Sequence, residues 1–156
     1  MIFSASLWFH IIGITLMAGA TVVEFMLTRK FWTIYAVDQQ GGILVRKASD
    51  KLPLLVVAGI VLILLSGVGM MAATGGVFDT MLWFRIKMIL VVLVIVNGVA
   101  NGRRLGARLN RLLAPGAPQP ADQQLLNRVR NRLDLFFISQ LSLFFIIFFL
   151  SAFKFN

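Results

Sequence analysis

The sequence predicts an all-α integral membrane protein, a four-transmembrane-helix bundle with both termini outside. Three observations predict it. The 156-residue chain has a mean hydropathy of +0.89 and only 13% charged residues, about half the share of an ordinary soluble domain. Its apolar residues gather into four runs, each close to the ~20 residues that cross a hydrocarbon core of ~30 Å. Its Lys and Arg gather between those runs, and only in alternate connections.

The four runs cover residues 2–27, 52–74, 81–100 and 135–153. They are too long for strands and have no period-2 alternation. In the first, Ala18, Gly19 and Ala20 mimic a small-residue cleavage site. No Lys or Arg precedes it, so a basic n-region is missing and a retained helix is expected. The fourth run has no charge and is rich in Phe, which suits lipid contact.

The connections set the orientation. Residues 28–51 contain Arg29, Lys30, Arg46, Lys47 and Lys51. Residues 101–134 contain Arg103, Arg104, Arg108, Arg111, Arg128, Arg130 and Arg132. Residues 75–80 contain neither Lys nor Arg. The bias places the first and third connections in the cytoplasm, with Trp8 and Trp83 near the outer interface and Trp32 and Tyr35 near the inner one. The long connection includes Pro115, Pro118 and Pro120 around Gly116, a break expected to stop a helix running on from the third span. Its arginines are also candidates for holding anionic headgroups. A net charge of +9 could suggest nucleic acid, but this distribution suits topology instead, so the bilayer is the expected partner and nucleic acid is not.

The chain has no cysteine and one histidine, His10. That excludes disulfides, thiolate chemistry and any two-histidine site within one chain. Polar residues inside the runs are costly and therefore informative. His10, Gly13, Met17, Ala20 and Glu24 share one face of the first helix. Gly59, Ser66, Gly69 and Met70 mark the second. Lys87, Leu90, Val94, Asn97 and Asn101 share a face of the third. Gln140, Phe144, Ile147, Ser151 and Lys154 share a face of the fourth. Such faces turn toward neighbouring helices or a second protomer, so a homodimer or a larger membrane complex is a candidate assembly.

Depth divides these groups in two. His10, Arg85, Lys87 and the methionines Met70, Met71, Met81 and Met88 belong to the outer leaflet. Glu24, some 21 Å from His10 along the axis at ~1.5 Å per residue, joins Asn97 and Asn101 in an inner polar cluster, with Arg103 or Arg104 at the same level. Imidazole and thioether are ligands of haem iron and of Cu(I), and Arg85 and Lys87 suit an anionic group such as a porphyrin propionate. His10 is the candidate metal ligand, with Lys87, Arg85, Met70 and Met88 completing a cofactor site. A structural reading stands beside it: His10 bonds a neighbouring helix, the cations snorkel and the methionines fill gaps. No Ser–His–Asp arrangement is credible at the spacing of His10 and Glu24.

The stretch Trp8-Phe9-His10-Ile11-Ile12-Gly13, continuing through Met17-Ala18-Gly19 to Arg29, resembles the first helix of the four-helix bacterial membrane protoporphyrinogen oxidases. Trp83-Phe84-Arg85-Ile86-Lys87-Met88-Ile89-Leu90-Val91 resembles their third helix, and Pro53 and Lys154-Phe155 fall where that family has similar residues. The copper-resistance D-type membrane proteins look like relatives on the same plan. The resemblance implies a multi-pass protein of the bacterial cytoplasmic (inner) membrane and an oxidoreductase. It also implies haem b as cofactor with His10 as ligand and Lys87 as a porphyrin-site cation, with copper as the alternative. The chain is a divergent member by this measure. Arg85, and the Asn97-Gly98 region, stand where the family has further histidines. Asn131-Arg132-Leu133-Asp134-Leu135 replaces the family's motif before the last helix. A non-catalytic membrane subunit is the remaining alternative.

Overall fold

The computed structural model describes residues 1–78, 80–114 and 122–153, and every regular element among them is helical. In chain order these are α1 (Ile2–Tyr35), α2 (Gln39–Ala48), α3 (Leu52–Ala73), α4 (Leu82–Asn97), a π-helical segment (Gly98–Gly102), α5 (Arg103–Leu112) and α6 (Asp122–Ala152). Four stretches, Ile2–Tyr35, Gln39–Ala73, Leu82–Leu112 and Gln123–Ala152, are long and apolar enough to cross a membrane. The residues expected as connections are largely helical. α1 runs on through Arg29 and Lys30, and α6 starts before its apolar run. The proline break at 115–120, like Lys154 and Phe155, lies outside the described residues.

The chain divides into two compact units, one formed by Met1–Arg85 and the other beginning at Ile86, inside α4. In the first, α1 and α3 are antiparallel neighbours. Ser6 faces Gly69, His10 faces Ser66, and Gly13 faces Gly59 and Ile63. The contact is backbone on backbone. A Cβ on Gly13 would lie 2.9 Å from the Gly59 carbonyl oxygen, and one on Gly59 would lie 2.7 Å from that of Gly13. Small residues at this crossing allow the approach, as membrane helix pairs require. The expected small-residue face of α1 is thus the buried one, with Gly13, Met17 and Ala20 all covered.

Beyond its apolar run α1 is held by α2. Phe31 is buried, edge-on to Trp32 at 4.7 Å and tilted against Tyr35 at 5.2 Å. A Cβ on Gly42 would come within 2.7 Å of the Tyr35 Cβ, so α2 lies directly against the end of α1. α3 opens with Pro53 in its first turn, where a missing N–H costs nothing. It closes in a Schellman cap: the Gly76 N–H donates to Met71 O at 3.2 Å and the Gly75 N–H to Ala72 O at 3.4 Å. Gly75 (φ 61°) and Gly76 (φ 75°) supply the left-handed backbone this cap needs.

In the second unit α6 lays one apolar stripe inward. Leu126, Val129, Leu133, Phe137 and Phe144 are buried, with Gln140 among them, a spacing of threes and fours that keeps one face of a helix. α5 answers with Leu105 and Leu109. The ring of Phe136 fills the notch at Gly102, where a Cβ would sit 2.8 Å from its Cζ. The stripe begins well before the apolar run at 135 and alternates with exposed Arg128, Arg130 and Arg132, so this end of α6 is amphipathic. Elsewhere large apolar side chains face outward, Phe145 at 73% and Leu65 at 68% exposure.

Candidate functional site

His10 sits on the α1 face turned to α3, between two tight contacts. Gly13 meets Gly59 one turn inward, and Ser6 meets Gly69 one turn outward. Its Nδ1 lies 2.9 Å from the Ser66 hydroxyl. Ser66 is buried, and its oxygen also lies against the carbonyls of Leu62 and Ile63 in its own helix. A hydroxyl has one hydrogen, and carbonyls only accept. With the hydroxyl donating to its own backbone, the Nδ1–H donates to the hydroxyl. That tautomer puts the ring's lone pair on Nε2, the arrangement a ligating imidazole uses when its other nitrogen is held. The closed seam leaves no room for a flat macrocycle between α1 and α3 below His10. His10 is half-buried.

The remaining outer residues divide between the two units. Met70 is four residues from Ser66 on the same face of α3, about 6 Å along the axis, and is half-buried. Met81 is engaged: its sulfur accepts a hydrogen bond from the Trp83 indole at 3.2 Å, and Trp83 is buried between Phe78 and Phe84. Arg85 is exposed at the end of the first unit. Lys87, half-buried, and Met88, 41% exposed, belong to the second. Among the described residues no group of three or more His, Cys, Asp or Glu could hold a metal ion. Ligation at His10 therefore needs thioethers, a second copy or a cofactor that supplies its own donors.

Of the inner cluster, Asn97 and Asn101 are joined, the Asn101 amide donating to Asn97 Oδ1 at 2.8 Å. Asn97 in turn donates to Gln140 Oε1 at 2.8 Å and to the Ser139 hydroxyl at 3.3 Å, while Gln140 Nε2 donates to the Val94 carbonyl at 3.2 Å. Glu24 is half-buried on α1, and the charge that bears on it is Arg46 of α2. Residue spacing had placed Gln140 on an inward face but could not pair it with Asn97; Ser139 carried no signal of its own, and Arg46 was legible only as a basic residue of its connection. Helical period assigns faces; partners depend on the register between helices.

Comparison with protein-family models, with curated proteins and with solved structures finds no match to this chain.

Proposed function

We propose that this chain is a multi-pass protein of the bacterial cytoplasmic membrane that binds haem through His10 and serves in membrane redox chemistry. The observation that carries the reading is the Ser66 hydroxyl 2.9 Å from Nδ1 of the only imidazole, a partner of the kind that orients ligating histidines. The likeness of the first and third helices to the four-helix protoporphyrinogen oxidases supports the same reading. Bound haem would supply one-electron chemistry; the chain's part would be to hold the iron at His10 and to set Arg85, in the same unit, against a propionate. The many outward-facing Leu, Ile, Val and Phe side chains support lipid contact, and the Lys/Arg bias supports termini outside.

The test is optical. Protein produced with ample haem should carry a Soret band. His10→Ala should abolish it while the protein stays inserted and folded, and Ser66→Ala should weaken haem affinity by roughly tenfold or more. Arg85→Ala should weaken it by less. Absence of a Soret band in the parent protein defeats the haem reading, and a band that survives His10→Ala defeats the ligand assignment. Orientation is tested separately: a cysteine at Thr80 should react with an impermeant thiol reagent from outside, and one at Ala48 should not. The reverse pattern overturns the topology.

A second reading is favoured by Met70, which shares the α3 face of Ser66. Imidazole and thioether together suit Cu(I). Stoichiometric copper by elemental analysis, lost in both His10→Ala and Met70→Leu, would select it over haem.

A further inference from the structure

Four arginines stand on the ten residues of α5, and the reading above uses them only for orientation. Arg104, Arg108 and Arg111, spaced by four and three, share one face of the helix at ~100° per residue. With Ala107 they line an open groove of about 370 Å³. The opposite face of α5, Leu105 and Leu109, is buried, so the three guanidinium groups are presented by a packed helix. No Asp or Glu occurs between Thr80 and Ala121, so no nearby carboxylate in this stretch neutralises them. Each guanidinium offers a planar fork of donors that matches two oxygens of a phosphate. The small side chain of Ala107 lets an anion approach the helix between them.

We infer that this groove binds a phosphate group, and that the phosphate belongs to the headgroup of an anionic lipid. The choice of lipid rests on the membrane placement proposed above. Arg104 stands four residues past the apolar run that ends at Ala100, about 6 Å farther along the helix axis. That is the depth of the headgroup layer, which adds roughly 5–7 Å on each side of the hydrocarbon core; Arg108 and Arg111 start about 12 and 16 Å past Ala100, and their side chains lean back along the helix toward that layer. Basic clusters at this position on an amphipathic helix recognise anionic headgroups. Free inorganic phosphate would use the same guanidinium groups but would gain nothing from that depth.

The experiment uses the full chain in neutral detergent micelles, with bound lipid counted by native mass spectrometry. Phosphatidylglycerol is titrated against phosphatidylcholine. The wild-type protein should retain phosphatidylglycerol selectively. Arg104→Gln/Arg108→Gln/Arg111→Gln should lower that affinity by on the order of a hundredfold. The equally discharged control Arg128→Gln/Arg130→Gln/Arg132→Gln should lower it by only about threefold or less. Arg108→Lys, which keeps the charge and loses the fork, should fall between. Should the triple variant aggregate, Arg108→Gln alone carries the test, with roughly fivefold loss expected. Equal losses in the two triple variants, or no preference for phosphatidylglycerol, overturn the site. If excess inorganic pyrophosphate binds the groove and displaces all lipid, the lipid assignment is overturned. A chain that labels as membrane-inserted but fails here loses this site alone; a chain that does not insert loses the membrane reading first.

Discussion

Between α1 and α3 the main chains touch at Gly13 and Gly59, whereas α4 and α6 are joined through side chains, Asn97, Ser139 and Gln140. One seam depends on atoms that are missing, the other on polar groups that must be present. In lipid no hydrophobic force draws helices together, so both routes have to rely on contact and hydrogen bonding. The difference lies in where each seam tolerates change. The glycine seam has no slack at its centre and holds its one polar pair, His10 and Ser66, a turn away. The amide seam has its polar groups at the centre, where each bond also fixes the next.

The largest effect should come from filling the first seam. Gly59→Val puts a branched side chain against the Gly13 carbonyl and Met17, and should destabilise the protein by about 3 kcal/mol, read as a lowered unfolding midpoint in detergent. A neutral outcome would mean that the backbone contact does not close the pair.

In the second seam, Gln140→Leu keeps the volume but leaves the Asn97 amide with the Ser139 hydroxyl alone and removes a donor from the Val94 carbonyl. A loss of about 1–2 kcal/mol is expected. If Gln140→Leu is as stable as wild type, the amide network is dispensable and the apolar stripe of α6 suffices.

The smallest stability effect belongs to Ser66→Ala. A hydrogen bond between membrane helices contributes about 0.6 kcal/mol on average, so the unfolding midpoint should scarcely move. Its consequence for ligand binding at His10 should be much larger. A Ser66→Ala protein that unfolds like Gly59→Val would show that the bond holds the helices and does not orient the ring.

The number of helices long and apolar enough to cross a membrane was readable from apolar runs, because crossing length is a simple requirement. Helix ends were not. α1 continues through Arg29 to Tyr35 because backbone hydrogen bonding is internal to a helix and does not stop where lipid would, and because Phe31 and Trp32 find cover. The early part of α6 was missed for a related reason: Leu126, Val129 and Leu133 alternate with arginines, so their period is helical while their average hydropathy is low. His10, Ser66, Asn97 and Gln140 were all picked out as inward-facing. Joining them in pairs needed the register, and in the first unit that register is set by Gly13 and Gly59, residues with no side chain to advertise it.

The π-helical segment at Gly98–Gly102 acts as a phase shifter. From Asn97 to Leu105 is eight residues, and along an uninterrupted α-helix their side chains would point about 80° apart. A π turn takes up roughly one extra residue, about 100° of rotation, which brings Leu105 and Leu109 back to the azimuth of Asn97. The amide network and the leucines below it therefore address the same partner, α6, along one line. A chain shortened by one residue here would keep every amino acid that matters and aim half of them the wrong way, so the wide turn works as a gear tooth between a polar half-seam and an apolar one.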